Sequence, residues 1–595
     1  MKGIVKLIVI ASTAMLVALM GVMLYLNQVK EQQSEGEIKE AQKELDMILE
    51  DVEQVSFTEE DEIIPLYLTG KKKNVMTFKD ASLSEIYTSA YTKKIDKELE
   101  VEKKRGSRRI DRAVFAWNPY GTQPMSLYIY FPTREGYSLN YTISVDSKEI
   151  PDFTRTLNNH NSGNLTTEQE YSIIGLLPGR KNYITLRLCG ESGKVKKQLT
   201  YSIDVPSLPK DIDAQLSMTK GYNQTLLGSG LYTVYGNSVK NKKKSYLLFY
   251  DNSGYLRSYI PLKSNCADNI EELDGCLFFP YSKNQFVLLS PTGQVRKIYT
   301  LEDYELYGAF DYDNSGHIYA LADKIGKKSS IHDTIIQMDL KTGNILKEIN
   351  LGTYLKAVKA KARKNVKKKT RLNWLDLNSI QCMDRSTLIL SARELSSIFI
   401  VKNVNKKKPA IRSILGENVL WNGTGQKKKL AKKAGSFTAQ FGQHTVTFGN
   451  SGSYQDLTPE YDENGNVIES EEEVTARQYY LYMFNNNYGN SKTLPSIHYS
   501  SYSAGTKKKK AANSYYYQYL YDQTENVYRL EQKIELPFSA EYGSVQVFQG
   551  NIIAGSSDKK VFMEYTGDGK MLHTYDTSFV FTKVEKNDMK HYWFY

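Results

Sequence analysis

The chain has 595 residues, which is too long for one hydrophobic core and indicates about three or four domains. Its 12% aromatic content, with 45 tyrosines and only 15 prolines, favours β-strands over helices or disorder. The net charge is +11, but much of the excess lies in short lysine runs such as 242–244 and 507–510. No RNA- or DNA-binding module accompanies these runs, so no nucleic-acid partner is predicted.

The lysine runs have two interpretations. Solvated lysine is the ordinary occupant of hairpin tips and of insertions between strands, which is where several runs are predicted to lie. Alternatively, basic loops could concentrate anionic substrates or hold the protein near an anionic cell envelope.

The N-terminus predicts a membrane anchor over residues 1–28. Lys2 and Lys6 precede an apolar run from Leu7 to Leu26, which is long enough to cross a bilayer as a helix. The positive flank is expected in the cytoplasm. No small-x-small cleavage signal and no following cysteine are present, so an uncleaved signal anchor is predicted. We therefore expect a single-pass protein of the cell membrane whose bulk is extracytoplasmic.

Residues 29–110 are predicted to form a helical stalk and linker. Apolar residues recur there at alternating steps of three and four within Glu/Lys-rich sequence, at Ile38, Ala41, Leu45, Ile48, Val52 and Val55. This spacing is typical of a heptad seam. A seam this short fits two arrangements, a homodimeric coiled coil or a helix that packs on its own body.

Residues 111–206 predict a small immunoglobulin-like β-sandwich. Short alternating segments at 126–131, 141–145, 183–188 and 199–203 are separated by turn residues, as in such a sandwich. The prolines at 206 and 209 then suggest a linker to the next domain.

The remainder, 207–595, repeats one strand-turn-strand phrase. Its turns end in Gly254, Gly293, Gly343 and Gly569. An Asp, Ser or Thr followed shortly by Gly supplies the positive-φ corner of a tight hairpin, and the alternating flanks supply two strands with one buried face. The interval of about 40 to 50 residues is close to one four-stranded propeller blade. The sequence therefore predicts an all-β fold in which a six-bladed β-propeller follows the sandwich.

The cysteines and histidines show no standard metal or triad spacing. Cys189 and Cys382 stand alone, whereas Cys266 and Cys276 could close a short disulfide loop or remain two buried thiols. Only 7 histidines occur, without an HxH, HExxH or GxSxG pattern. His444 differs because it follows a glycine-rich approach to an inner strand, where propeller sites gather, although position alone favours a structural histidine.

Three ordered segments resemble the signatures of bacterial aryl-sulfate sulfotransferases: WLDLNSIQ at 374–381, LSARELSSI at 390–398 and GQHTV at 442–446. YYLYMFNNNYG at 479–489 and SYYYQYL at 514–520 are similar to the branch found in Gram-positive bacteria. The resemblance extends to the N-terminal domain through WNPYGT at 117–122 and IPDFTRTL at 150–157. It spans nearly everything beyond the stalk.

The resemblance implies transfer of a sulfuryl group from a phenolic sulfate ester to a phenolic acceptor, by a ping-pong mechanism through sulfohistidine. In that scheme His444 is the nucleophile, Arg393 the guanidinium that clamps the sulfate, and Asn378 the amide donor beside it. A neutral imidazole can attack sulfur at physiological pH, while an Arg fork and an amide stabilise the charged sulfuryl oxygens. No metal or other cofactor is required.

The chain departs from the family pattern at two positions where the family carries histidine. Asp376 stands two residues before Asn378, and the second position falls in Leu306–Asp311, which contains no histidine. An ionised Asp376 would repel the substrate unless Arg393 neutralised it, and it could be a general acid only if burial raised its pKa. The alternative function is a catalytically impaired propeller that binds sulfated or other anionic ligands at the envelope.

Overall fold

The computed structural model describes residues 63–236, 245–326, 329–367, 369–450, 478–489 and 512–595, together with 460–461, 467–468, 491, 493, 502 and 504–506. The predicted membrane anchor and the heptad seam lie outside the described residues. Within those ranges, no helix is both long enough and apolar enough to span a bilayer.

An immunoglobulin-like sandwich precedes the propeller. Its strands are Ile64–Leu66, Val114–Trp117, Leu127–Val145, Phe153–Thr156, Thr166–Ile173, Lys181–Cys189 and Val195–Asp204. The long strand Leu127–Val145 serves both sheets, because its first half pairs with Thr166–Ile173 and its second half with Lys181–Cys189. The predicted strands 126–131 and 141–145 are thus the two ends of one strand.

Residues 63–110 correct part of the predicted stalk and linker. Ile64–Leu66 adds to the sandwich in parallel with residues 201–203, and helices Leu83–Ile86 and Ser89–Lys103 follow. Tyr87 is buried, stacks on the Tyr281 ring at 4.3 Å and donates to the Pro261 carbonyl at 2.7 Å. The segment therefore packs against the folded domains, which cover its apolar side chains.

Six blades follow in the described part of the chain, each a four- or five-stranded antiparallel sheet with at most one parallel addition. Written from the inner strand outward, they are blade 1, Lys583–Asn587, Leu231–Tyr235, Ser245–Tyr250 and Leu256–Leu262; blade 2, Glu271–Leu273, Cys276–Ser282, Gln285–Leu289 and Val295–Thr300; blade 3, Tyr304–Tyr312, His317–Lys324, Thr334–Asp339 and Ile345–Asn350; blade 4, Leu377–Asp384, Thr387–Ala392, Ser397–Lys402 and Ala410–Leu415; blade 5, His444–Asn450, Gln478–Asn485, Asn513–Asp522, Val527–Pro537 and Lys432–Lys433; and blade 6, Ser544–Phe548, Asn551–Ser556, Val561–Tyr565, Met571–Asp576 and Ser217–Lys220.

Helix Lys356–Lys364 and the paired strands Ser330–Ile331 and Leu372–Asn373 lie in the connections around blades 3 and 4. A further strand pair joins Glu460–Tyr461 to Val467–Ile468. The sandwich and the six blades confirm the prediction of a six-bladed propeller that follows an immunoglobulin-like domain.

The hydrophobic core is divided among the blade interfaces. Each neighbouring pair of blades encloses its own cluster of buried residues, and the cluster between blades 1 and 2 continues into the sandwich. The four glycines of the repeated turns have φ values of 74°, 93°, 84° and 89°, and each lies in the turn between the third and fourth strands of a blade, counted from the inner strand. The repeat therefore marks the outer rim of the ring.

Both ends of the propeller segment close the ring. Lys583–Asn587 pairs with Leu231–Tyr235 in blade 1, and Ser217–Lys220 pairs with Met571–Asp576 in blade 6. Lys586 on the closing strand contacts Glu564 of blade 6 at 2.6 Å, and both side chains are 0% exposed. Burial lowers the pKa of Lys586 to about 8, with Glu564 acting in the opposite direction.

The four cysteines all fall in described segments and are free. Of the two interpretations of Cys266 and Cys276, the structure therefore shows two thiols. Burial raises the pKa of the Cys266 thiol to about 12.

The buried pair at the ring closure gives a stability prediction. Lys586→Met leaves the Glu564 carboxylate buried without its cation, so we expect a loss of about 3–5 kcal/mol in the free energy of unfolding, measured by urea denaturation. Adding Glu564→Gln removes the stranded charge and should recover part of that loss. The exposed Lys570, which pairs with Asp568 on the outer rim, is the matched control. Equal midpoints for Lys586→Met and Lys570→Met would contradict the assignment.

Candidate active site

A cavity of about 690 Å³ lies at one mouth of the propeller and contains all three residues predicted from the sequence. Asn378 is near the start of the inner strand of blade 4, Arg393 follows the second strand of that blade, and His444 opens the inner strand of blade 5. Asn378 and Arg393 therefore belong to one blade, and His444 belongs to the next. In an antiparallel blade the first strand begins where the second ends, as the pairing of Leu377 with Ala392 shows.

The His444 ring is 6% exposed and is held in one tautomer. Its Nδ1 lies 2.9 Å from Thr445 Oγ1, and that hydroxyl donates to the Gly543 carbonyl at 2.9 Å. Because a hydroxyl has a single proton, Thr445 Oγ1 must accept from Nδ1–H. The lone pair of His444 is therefore on Nε2.

The same burial keeps His444 uncharged. Desolvation lowers its pKa from 6.5 to about 4, Arg393 adds to the shift, and the Gly543 carbonyl opposes it. The imidazole is neutral at physiological pH. A neutral ring with a free Nε2 is the form that can act as a nucleophile.

Thr445 has strained backbone geometry directly after His444. Its φ is +49°, in the left-handed region that β-branched residues avoid. The pairing with blade 5's second strand shifts between His444 and Val446, so Thr445 occupies a β-bulge. The Ser379 hydroxyl accepts from the Val446 N–H at 3.0 Å and helps to hold this conformation.

Arg393 is a nearly enclosed guanidinium, with a side chain that is 14% exposed. Its Nη2 donates to the Ala540 carbonyl at 3.1 Å, and its Nη1 lies 3.6 Å from Asp376 Oδ2. Its backbone N–H also donates to the Asp376 carbonyl at 3.2 Å. One edge of the fork is thus anchored by Asp376.

Asn378 connects the two blades of the site. Its Nδ2 donates to the carbonyl of Gln443, the residue before His444, at 2.9 Å. One amide hydrogen is thereby used, and its buried Oδ1 has no hydrogen-bond partner among the described residues. Gln443 is in turn held by blade 4, since its Nε2 donates to Ser391 Oγ at 3.0 Å.

Asp376 is ionised, which decides between the two roles considered for it. Burial alone would raise its pKa, but hydrogen bonds from His332 and Asn373 and the charge of Arg393 lower the pKa to about 2. The condition for a general acid is therefore not met. Asp376 instead neutralises part of the Arg393 charge, and its own φ is +50°.

His332 also lies in the site, although no sequence motif contains it. Its ring stacks on Tyr307 at 4.3 Å with an interplanar angle of 13°, and its Nδ1 lies 3.1 Å from Asp376 Oδ1. It lines the cavity with His444 and Arg393. The sequence resemblance predicts histidine at the position of Asp376 and in the segment that contains Tyr307, and one imidazole, that of His332, contacts both residues. No sequence signal links these residues, because 44 positions separate His332 from Asp376.

The profile of the arylsulfotransferase family, described as Arylsulfotransferase (ASST), matches residues 219–592. The profile of the arylsulfotransferase Ig-like domain matches residues 115–206. Because the first match covers more than half of the chain, the protein belongs to the arylsulfotransferase family, which is a family of enzymes. Membership indicates sulfuryl transfer between phenolic compounds.

A search of curated proteins gives no match. Among solved structures, similarity is found to a functionally unknown protein from Desulfotomaculum acetoxidans, with 8% identity over 60% of this chain and 99% of that one and a TM-score of 0.30. A putative 6-phosphogluconolactonase from Bacteroides fragilis has 12% identity over 62% and 100% of the two chains, with a TM-score of 0.31. Virginiamycin B lyase from Staphylococcus aureus has 11% identity over 63% and 89%, with a TM-score of 0.29. These similarities are too low to inform function.

Thr445 offers a test of tautomer control. Thr445→Val keeps the β-branched shape but removes the acceptor for His444 Nδ1–H, so we expect sulfuryl transfer to fall by about 10²-fold through misorientation of the ring. Thr445→Ser keeps the hydroxyl and should retain most activity. The readout is the rate of phenol release from an aryl sulfate.

Thr445→Gly separates strain from function. Glycine tolerates the positive φ, which costs a β-branched residue on the order of 1–3 kcal/mol, although its greater freedom in the unfolded chain offsets part of the gain. We expect unchanged or higher thermal stability together with reduced transfer.

A Thr445→Val variant as active as the parent chain would contradict the role of the hydroxyl.

Proposed function

We propose that the protein is a membrane-anchored, extracytoplasmic arylsulfotransferase that moves a sulfuryl group from a phenolic sulfate ester to a phenol by a ping-pong mechanism. The observation that carries the proposal is the neutral His444, with Nδ1 engaged and Nε2 free, in one cavity with Arg393. The apolar run Leu7–Leu26 after Lys2 and Lys6 supports the anchoring.

In the first half-reaction, His444 Nε2 attacks the sulfur of the donor. The N–S bond forms as the bond from sulfur to the aryl oxygen breaks, and the phenolate leaves. In the second, the oxygen of the acceptor phenol attacks the sulfur of sulfohistidine as its hydroxyl proton is lost, and the electron pair of the broken N–S bond returns to Nε2. The released phenolate takes up one proton for each that an acceptor phenol gives up. Dividing one displacement into two lets donor and acceptor use the same site in turn.

Arg393 and Asn378 stabilise the transferring group. The charge of the group lies on its three peripheral oxygens, which a guanidinium fork and the remaining amide hydrogen of Asn378 can contact. Because Asp376 already fixes one edge of Arg393, the guanidinium is oriented before the substrate arrives. This preorganisation avoids a reorganisation cost during transfer.

The aryl group has aromatic neighbours in the cavity. Tyr542 meets the His444 ring edge-on at a centroid distance of 5.9 Å, and Tyr307 also lines the cavity. Aromatic rings favour offset-stacked and edge-to-face contacts with a phenyl group. These side chains suit a phenolic substrate better than an aliphatic sulfate.

The central test is capture of the covalent intermediate. The purified chain is mixed with p-nitrophenyl [35S]sulfate and quenched, and we expect acid-labile label on His444 at up to one equivalent. With phenol as acceptor, turnover should exceed that of His444→Ala by more than ~10³-fold. Nitrophenol release no faster than in His444→Ala would refute the proposed enzyme activity. Saturable donor binding without covalent label would instead support the anion-binding alternative.

The donor reaction should lose rate at a lower pH than a reaction that depends on an ordinary histidine. His444 is neutral above its folded-state pKa of about 4 and protonated below it, so the nucleophile persists as pH falls through 6.5. We expect the nitrophenol burst rate to stay nearly constant down to about pH 5 and to decline only near pH 4. Samples are quenched in alkali, so that nitrophenol is read as its phenolate at every pH. A decline centred near pH 6.5 would contradict a buried neutral ring.

A further inference from the structure

We propose that His332 is the acid-base catalyst of this reaction: its Nε2 gives a proton to the departing phenolate and takes one from the acceptor phenol. This inference rests on the proposed sulfuryl transfer at His444. It concerns a residue that neither the motifs nor the family assignment identifies.

The geometry fixes how His332 is held. Asp376 is ionised and accepts from Asn373 Nδ2 at 2.6 Å, so its Oδ1 is an acceptor for His332 Nδ1–H at 3.1 Å. The ring rests on Tyr307, and the His332 backbone N–H donates to Asp323 Oδ1 at 2.9 Å. A carboxylate-anchored imidazole with Nδ1 engaged has Nε2 for proton exchange.

Both ring nitrogens of His332 have a carboxylate nearby. Nε2 lies 3.9 Å from Asp323 Oδ2, so a protonated ring has a carboxylate near each nitrogen. Arg393 balances the second oxygen of Asp376 at 3.6 Å and limits the excess negative charge. The side chain is 29% exposed, so a phenol in the cavity can reach it.

Other titratable groups on the cavity wall are less suited to the task. Asp376 is ionised, as shown above. Burial raises the pKa of both Tyr307 and Tyr542, and the Tyr307 hydroxyl already donates to the Thr334 carbonyl at 2.9 Å. Asp268 is the main competitor, because burial raises its pKa to about 6, but its Oδ1 is engaged by the Thr582 hydroxyl at 3.2 Å.

Over one catalytic cycle, His332 loses one proton and regains one. In the resting enzyme His332 carries a proton on Nε2, which passes to the phenolate oxygen as the S–O bond breaks. The sulfated enzyme then holds a neutral His332. The acceptor phenol transfers its hydroxyl proton to Nε2 as its oxygen bonds to sulfur, which restores the resting state.

His332→Gln is the decisive variant, because it keeps an amide donor for Asp376 but cannot carry the proton. Nitrophenolate is a stable leaving group, so we expect the p-nitrophenyl sulfate burst to be largely retained. Transfer from sulfohistidine to unsubstituted phenol, whose pKa is near ~10 as for tyrosine, should fall by about 10²–10⁴-fold. His317→Gln is the matched control and should keep both half-reactions, because His317 also pairs with an aspartate, Asp313 at 2.8 Å, but does not line the cavity. Asp268→Asn tests the competing carboxyl group.

The pH dependence provides a readout that a structural role would not change. With phenyl sulfate as donor, the parent chain should lose burst rate as pH rises, because the acid form of His332 is depleted. Transfer to phenol should gain over the same range, and both dependences should flatten in His332→Gln. In His332→Ala, added imidazole should restore part of the transfer rate.

Each outcome has a separate meaning. Absence of a nitrophenol burst in the parent chain would refute the proposed function itself. A burst with full phenol transfer and an unchanged pH profile in His332→Gln would refute the inference about His332 alone. Loss of transfer in Asp268→Asn but not in His332→Gln would reassign the proton to Asp268. If both His332 variants fail to fold, parent half-reactions without opposite pH trends would overturn the inference.

Discussion

The propeller is stable only as a closed ring. The pairing of Lys583–Asn587 with Leu231–Tyr235 joins the end of the chain to its first blade, and the buried contact of Lys586 with Glu564 fastens that blade to the sixth. Each blade exposes apolar faces that only its two neighbours can cover, so an open ring would leave two faces in water. The six interface clusters are therefore mutually dependent.

The closed ring also creates the site. Loops from different blades meet at one mouth, where His444 loses contact with water and its pKa falls. The cost of this arrangement is visible in the positive φ of Thr445, which the hydrogen bond to Gly543 and the bulge maintain. Strain and desolvation thus serve one purpose, since both fix a neutral imidazole with Nε2 available.

The charges of the site form a connected series. His332 donates to Asp376, and Asp376 in turn contacts Arg393, which shares the cavity with His444. The sequence resemblance predicts histidine at the position of Asp376, and the imidazole of His332 contacts that aspartate. The cavity therefore holds a second imidazole beside that of His444.

Features that depend on local pattern could be predicted before the fold was known. Alternating apolar residues and the Asp/Ser/Thr-to-Gly turns defined the strands and outer hairpins, and the three ordered motifs placed Asn378, Arg393 and His444. The tautomer of His444, the ionisation of Asp376 and the position of His332 depend on how the folded blades are arranged. Thr445 and its partner Gly543 are 98 residues apart, and His332 and its partner Asp376 are 44 residues apart. Such contacts exist only once burial and ring closure bring the blades together. A carboxylate's pKa depends on those neighbours, so spacing along the chain could not reveal it.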